Sequence, residues 1–493
     1  MSMSNRGLSR LATAGSVLVL GACTTVGPNF KRPEPPAGAT SESYAMAGDP
    51  QPAGVAISPD ARAAGPWWEA FGSPELNAVV RQALADSPTL AEATATLART
   101  RAEADAVRGR QLPEATLDAG FQRERVNVQA LGFGNFPNPT VSLFSIGGTV
   151  DYDLDLFGGR KRATEEANAM AEAEARRADA AYLALSGNVA LQVMRIASLR
   201  AQIAAVESVI ADDRTVLDMV QRAEQAGGEP KSAIATSQAQ LAEDESLLPP
   251  LRREVNTARH QLALLVGKTP AEWAAPDFDL ARMTAPAAVP VSLPSTLVRN
   301  RPDILAAEAD LHAATAAIGV ATAELYPNLS LTATFTQTAS NTSRLTRYGS
   351  SGWNIGPQLT APIFNGGRLR ADRRAAEEDA KVSFARYQQT VLKAFTQVSD
   401  VLAALGAGQQ WIEALTRAAD AAQTNANYAQ TAYRLGAGTL LAMTDAQRQY
   451  SRARRALIQA QGQQFSDLVQ LYAATATDWR AQAGVPVAAA PAS

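Results

Sequence analysis

The chain is written twice. Pro88, Pro113 and Leu117 are answered at one constant shift by Pro302, Pro327 and Leu331. Phe157-Gly158-Gly159-Arg160 is answered by Asn365-Gly366-Gly367-Arg368, and Gly227 by Gly436, at a slightly smaller shift. The two halves are therefore copies of one unit, and the first copy has the longer loop between its two strand segments.

Each unit reads as a helix, two strands and two further helices. The opening helices, 88–112 and 302–326, are rich in Ala, the first also in Glu and Arg, and carry a proline at each end. Strict alternation follows: Leu329, Leu331, Ala333 and Phe335 fall on one face, Ser330, Thr332, Thr334 and Thr336 on the other. Ala115, Leu117, Ala119 and Phe121 do the same in the first copy. The return strands alternate too, with Val150, Tyr152, Leu154 and Leu156 in one copy and Trp353, Ile355, Leu359 and Ile363 in the other.

From about 158 to 226 the helical pattern runs without a proline, roughly 100 Å at 1.5 Å per residue. Tyr182, Val189, Ile196, Ile203, Ile210 and Leu217 recur at heptad spacing, with Leu185, Leu199, Val206 and Val220 interleaved. Val391, Val398, Leu405 and Ile412 repeat this seam. Turns at Gly227-Gly228 and Gly436-Ala437-Gly438 then start antiparallel returns, predicted over 231–266 and 440–474. The resulting division is a signal segment (1–22), an N-terminal segment (23–87), repeat 1 (88–267, hairpin about 114–156, tip near 227–230) and a linker (268–301). Repeat 2 (302–475, hairpin about 328–364, tip near 436–439) and a tail (476–493) complete it.

Strand segments of about ten residues, apolar on one side and polar on the other, fit a transmembrane barrel with lipid outside and water inside. A soluble, half-buried hairpin has the same alternation. Four strands cannot close a barrel that needs about eight or more, so several chains must share one; a trimer supplies twelve. No apolar run after the N-terminus approaches the roughly 18 residues of a spanning helix, so any membrane crossing falls to strands.

Composition removes most chemistry. The net charge of −3 gives no polybasic field for nucleic acid, and no phosphate-binding loop or zinc-spaced Cys/His set occurs. The single cysteine, Cys23, excludes an intrachain disulfide, and the only histidines, His260 and His312, fall on helices as surface or groove residues without an assigned role. No metal, cofactor or catalytic site is expected. Arg6 and Arg10, then an apolar run from Leu11 to Leu20, follow signal-peptide grammar. Leu20-Gly21-Ala22-Cys23 resembles the bacterial lipobox, which implies a covalent lipid on Cys23; the alternative is a buried cysteine. Thr24 rather than Asp after Cys23 implies sorting to the outer membrane.

Four stretches carry a wider resemblance: Val26-Gly27-Pro28-Asn29-Phe30 with Arg32-Pro33; Trp67-Trp68 with Phe71 and Leu76; Arg301-Pro302-Asp303 through Ala307-Glu308 to Tyr326-Pro327; and Asp445-Ala446-Gln447-Arg448. With the duplication they span nearly the whole mature chain, which resembles the TolC-like outer membrane factors, in particular the lipoprotein (NodT-type) branch serving resistance-nodulation-division (RND) efflux pumps. The resemblance implies a mixed α and β membrane protein: a homotrimer with a twelve-stranded transmembrane β-barrel, four strands per chain, continued by a long α-helical coiled-coil periplasmic tunnel. It also implies helical tips, at Gly227, Gly228, Gly436 and Gly438, that dock a periplasmic adaptor and receive small molecules from an inner-membrane RND-type pump. A type I protein secretion duct and a non-conducting, lipid-tethered coiled-coil scaffold are the alternatives.

Two constellations remain. Asp151, Asp153 and Asp155 alternate, but Leu156 and Arg162 stand where a calcium loop needs Gly and Glu, so a pore-facing acidic stripe is expected. Leu441 and Asp445 share a helical face just past the second tip, where an ordinary packing leucine and a dipole-favoured aspartate also fit. The resemblance makes them the periplasmic gate, with Tyr433 a tether of its closed state. Thr236 and Ser232 are their counterparts in the first copy, so such a gate is one-sided. Pro230, after Gly227-Gly228-Glu229, departs from the family's tip pattern.

Overall fold

The structure, a computed structural model, describes residues 25–34, 44, 66–127, 138–286 and 294–475; the signal segment, Cys23 and the tail 476–493 lie outside the described residues. In chain order the elements are α1 (Pro74–Asp86), α2 (Pro88–Gly109), β1 (Glu114–Arg125), β2 (Thr140–Asp153), α3 (Gly159–Gln225), α4 (Lys231–Glu245) and α5 (Leu248–Leu265). Then follow α6 (Pro294–Asn300), α7 (Pro302–Ala323), β3 (Asn328–Ala339), β4 (Ser351–Thr360), α8 (Arg368–Arg434) and α9 (Leu440–Thr475). The duplication persists in the element lengths, because α2 and α7 both have 22 residues, β1 and β3 both have 12, and α3 and α8 both have 67. Backbone contacts divide the chain into one unit of Met1–Pro33, Thr96–Ala175 and Ala306–Tyr387 and a second of Glu34–Ala95, Arg176–Leu305 and Gln388–Ser493.

The first unit contains one antiparallel sheet in the order β1-β2-β3-β4. Register places Leu117 opposite Gly148, Gly148 opposite Phe335 and Phe335 opposite Trp353, while Ala115, Val150, Ala333 and Ile355 form the next row of the same face. Opposed residues share a face, so the four alternations add into one apolar surface. Thr116, Thr149, Thr334 and Asn354 line up on the other, where the Thr149 and Thr334 hydroxyls lie 3.5 Å apart. The apolar face is not packed within the chain: Leu117 is 78% and Trp353 73% exposed. A soluble hairpin would bury such side chains, each worth about 1.5–3 kcal/mol on transfer out of water.

The return strands are shorter than predicted. β2 ends at Asp153, because Asp155 takes a left-handed φ of 43° and turns the chain before Leu156. β4 ends at Thr360, leaving Ile363 beyond Pro362 and outside the ladder. Pro357 lies within β4 opposite Leu331, on the side of the sheet that has no further strand within the chain.

The second unit is helical. Ser73 caps α1 by accepting the Leu76 N–H at 3.2 Å, ahead of Pro74 in the first turn. Trp67 stacks on Tyr472 at 5.7 Å, and Phe71 packs against Tyr472 and Phe465. Val189, Ile196, Leu199, Val206 and Val220 of α3, and Val391, Val398 and Leu405 of α8, are buried as the heptads require. Gly462 of α9 lies so close to α3 that an added Cβ would fall 2.1 Å from the Ser198 Oγ.

The return from the first tip is not one helix. It breaks between Glu245 and Leu248, where Pro249 and Pro250 lack N–H donors and the first turn of α5 accommodates them. The second return, α9, has no proline and runs unbroken for 36 residues. Among the described residues two helices, α3 and α7, contain an 18-residue window whose mean hydropathy would suit a membrane span, although neither holds an uninterrupted apolar run of that length. Neither needs a bilayer: α3 is far longer than the roughly 20 residues of a span, and α7 carries Glu308, which is paired with Arg32 at 2.6 Å.

Candidate functional site

Three places carry functional geometry. At the base of the sheet, the N-terminal strap 25–34 is bolted to the first unit. Val26 N–H donates to Phe157 O at 3.0 Å, at the junction of β2 and α3. Arg162, its side chain only 4% exposed, donates to Val26 O at 3.0 Å, Gly27 O at 3.3 Å and Asn29 Oδ1 at 2.6 Å, and pairs with Glu165 at 2.6 Å. Phe30 stacks on His312 at 4.4 Å, and His312 Nε2 lies 3.0 Å from Glu165 Oε1. Gly27 sits against Gly319, where a Cβ would come within 2.4 Å of the Gly319 Cα, so neither strap nor helix admits a side chain there.

The same junction dismantles the expected acidic stripe. Asp155 is not on the strand, and its carboxylate accepts the backbone N–H groups of Arg160 at 3.0 Å and Lys161 at 2.9 Å, capping the first turn of α3. Asp153 is on β2 but pairs with Arg160 at 2.9 Å and accepts from Asn328 at 2.9 Å. Asp151 remains exposed and accepts from the Thr332 hydroxyl at 2.6 Å. One open carboxylate is left of three.

The helical tips are glycine-built. Gly227 (φ 77°) and Gly436 (φ 71°) sit in the left-handed region, and both tips close with bonds back to the preceding helix, Gly228 N–H to Ala223 O at 2.8 Å and Ala437 N–H to Ala432 O at 2.9 Å. Gly438 is held close to Ala432, and Thr439 caps α9 by accepting Ala442 N–H at 3.2 Å. Behind the tips Val216, Val220, Ala233 and Met443 form a buried core, with Tyr433 packed on it. The Tyr433 hydroxyl donates to Glu229 at 3.1 Å, tying one tip to the other. Burial, then this bond and the charge of Glu229, push Tyr433 up to about 12, so it stays a donor throughout the physiological range. Leu441 is 67% exposed, and Asp445, four residues on, is exposed beside it, 3.9 Å from Arg448; Met443, Thr444 and Ala446 face inward.

A family model described as outer membrane efflux protein matches residues 79–268 and 293–477, one segment for each copy of the repeat. The chain belongs to this family. The outer membrane efflux protein is 30% identical to the pyoverdine export outer membrane protein OpmQ of Pseudomonas aeruginosa, over 84% of this chain and 87% of that one. It is 27% identical to nodulation protein T of Rhizobium leguminosarum bv. trifolii, over 92% of this chain and 94% of that one. Among solved structures it superposes on the outer-membrane channel OprN with a TM-score of 0.83 and 27% identity, covering 92% of this chain and 99% of that one. The efflux protein is thus an outer-membrane channel component with the barrel-and-tunnel fold of its relatives.

Sequence reading left several contributors without a role. His312 is a clamp residue, Arg162 holds the strap, and Arg301 donates to Gln397 at 2.6 Å while pairing with Asp303 at 2.9 Å. Their long-range partners lie 96 to 282 residues away in the chain, beyond the reach of any local motif.

Proposed function

We propose that three copies of this efflux protein close one twelve-stranded barrel and one helical tunnel, through which small molecules pass passively from an RND-type inner-membrane pump and a periplasmic adaptor to the exterior. One observation carries this reading: the sheet has two open edges, β1 and β4, and an exposed apolar face, a combination that lipid and neighbouring copies relieve together. Gly227, Gly228, Gly436 and Gly438 present the adaptor-docking tips, and Asp151 is the part of the acidic stripe left to face the lumen. The chain itself performs no chemistry; the pump supplies the energy.

Leu441 and Asp445 form the periplasmic gate, and Tyr433 holds the tip in its closed arrangement through Glu229. Their exposure on one face of α9, opposite its buried face, supports this role. Three copies of Asp445 around an axis would set three carboxylates and three leucines at the constriction. Single-channel recording tests the gate: Asp445→Ala is expected to raise conductance or open probability several-fold. A mutant as tightly closed as the parent protein would remove Asp445 from the gate.

The lipid anchor rests on position. Cys23 precedes Thr25 by two residues, a reach of at most about 7 Å. Thr25, the first described residue after it, packs against Gly158 at the junction of β2 and α3. Mass spectrometry of the mature N-terminus is expected to find acyl chains on Cys23; an unmodified thiol would end the anchor reading.

A further inference from the structure

Within the second unit, α3, α4, α8 and α9 enclose a cavity of about 310 Å³ that the channel reading does not use. Asp213 of α3 and Asp244 of α4 meet in its wall, each 6% exposed, and share a hydrogen bond. Ser237 of α4, 3% exposed, also lines it. Asp213 Oδ2 and Ser237 Oγ have no hydrogen-bond partner, and buried polar atoms left in that state are costly.

The neighbouring cation does not answer them. Arg448 of α9 is committed to Gln240 Oε1 and lies 3.9 Å from Asp445, while Gln240 donates to Asp244 at 2.5 Å. The remaining charged groups of the wall are Asp212 on α3 and Arg454 on α9; the polar groups that α8 offers are amides. Among the described residues no three metal-ligating side chains converge, so a divalent ion is not the complement.

We propose that this cavity binds the primary ammonium head of a small aliphatic amine, whose three N–H groups donate to Asp213 Oδ2, Asp244 and Ser237 Oγ. The match is one of donor and acceptor number. An ammonium group has three donors and no acceptor, and the wall offers two carboxylates and an unpaired hydroxyl. Its single positive charge also replaces the proton that two adjacent carboxyls otherwise share. Val216, Ala426 and Met443 supply an apolar wall for the alkyl tail. Burial, the Asp244 bond and charge, and the Asp212 charge push Asp213 up to about 7, with Arg448 opposing, so the site competes with protons just below neutrality.

Calorimetry on the detergent-purified protein at pH 8 tests this with n-butylamine, n-butanol and tetramethylammonium. Butylamine is expected to bind saturably, one per chain, and butanol and tetramethylammonium, lacking the charge or the N–H donors, are not. Asp213→Asn and Ser237→Ala should each weaken butylamine binding, the first by about tenfold or more. Lowering the pH to 5.5 should weaken it as well. Absence of saturable butylamine binding overturns the site and leaves the cavity to water; equal binding of tetramethylammonium, or butylamine binding unchanged in Asp213→Asn, overturns it as well.

Discussion

Replacing Arg162 by alanine is expected to release residues 25–34 from the first unit without unfolding the rest. The side chain is nearly inaccessible and makes three bonds to the strap besides its pair with Glu165. Its removal leaves Val26 O, Gly27 O and Asn29 Oδ1 without their donor, and Glu165 with His312 alone. Breaking a buried, hydrogen-bonded charge costs about 3–5 kcal/mol, and relaxation of the strap into water recovers part of it. A local loss of roughly 3 kcal/mol raises the open population about a hundredfold. Trypsin reads this directly, because Lys31 becomes cleavable when the strap leaves, whereas Arg32 is protected by Pro33. Cleavage after Lys31 should accelerate strongly in Arg162→Ala and less in Arg162→Lys, which keeps the charge but not the fork. Equal cleavage rates in wild type and Arg162→Ala would show that the strap is held by its other contacts, at Val26, Gly27, Phe30 and Arg32, without Arg162.

Asp213→Asn is expected to stabilise the protein at pH 8 and to have little effect at pH 4. The sign follows from the direction of the shift. The native carboxyl, raised to about 7 from 3.8, binds more protons than the unfolded one between these values, so stability falls as pH rises through that window and levels off above it. Above pH 7 Asp213 is ionised in a buried site beside Asp212 and Asp244; asparagine supplies N–H donors and no charge. The rise from 3.8 to about 7 sets an upper limit of about 4 kcal/mol, which water entering the cavity reduces to about 1–2 kcal/mol. Thermal unfolding of wild type and variant at the two pH values, without amine, provides the measurement. A variant less stable than wild type at pH 8 would contradict the shared-proton account.

Much of the fold is legible in the sequence because its signals are periodic and close in the chain. Alternation in Leu329–Phe335 and heptads from Tyr182 to Leu217 each state a local geometry, and duplication states it twice. The break after Glu245 was also local, written in Pro249-Pro250, but the helical pattern on either side masks it. Asp155 is a different case: alternation places it on the strand, whereas the N–H groups of Arg160 and Lys161 draw it into a cap. At the candidate site the glycine tips and the exposed pair Leu441 and Asp445 can be read from spacing. The bond from Tyr433 to Glu229 spans 204 residues and the strap contacts of Arg162 more than 130, so both depend on packing that only the folded chain supplies.

The broken return helix gives the two halves different mechanical characters. In the second half, two continuous helices, α8 and α9, run side by side as a stiff stave. In the first, α3 is continuous but its companion is jointed between Glu245 and Leu248, so bending there loads one helix instead of two. A ring of three such chains alternates stiff and jointed staves. Force applied at its end would bow the jointed staves first, giving the tube three preferred lines of flexure set by a pair of prolines.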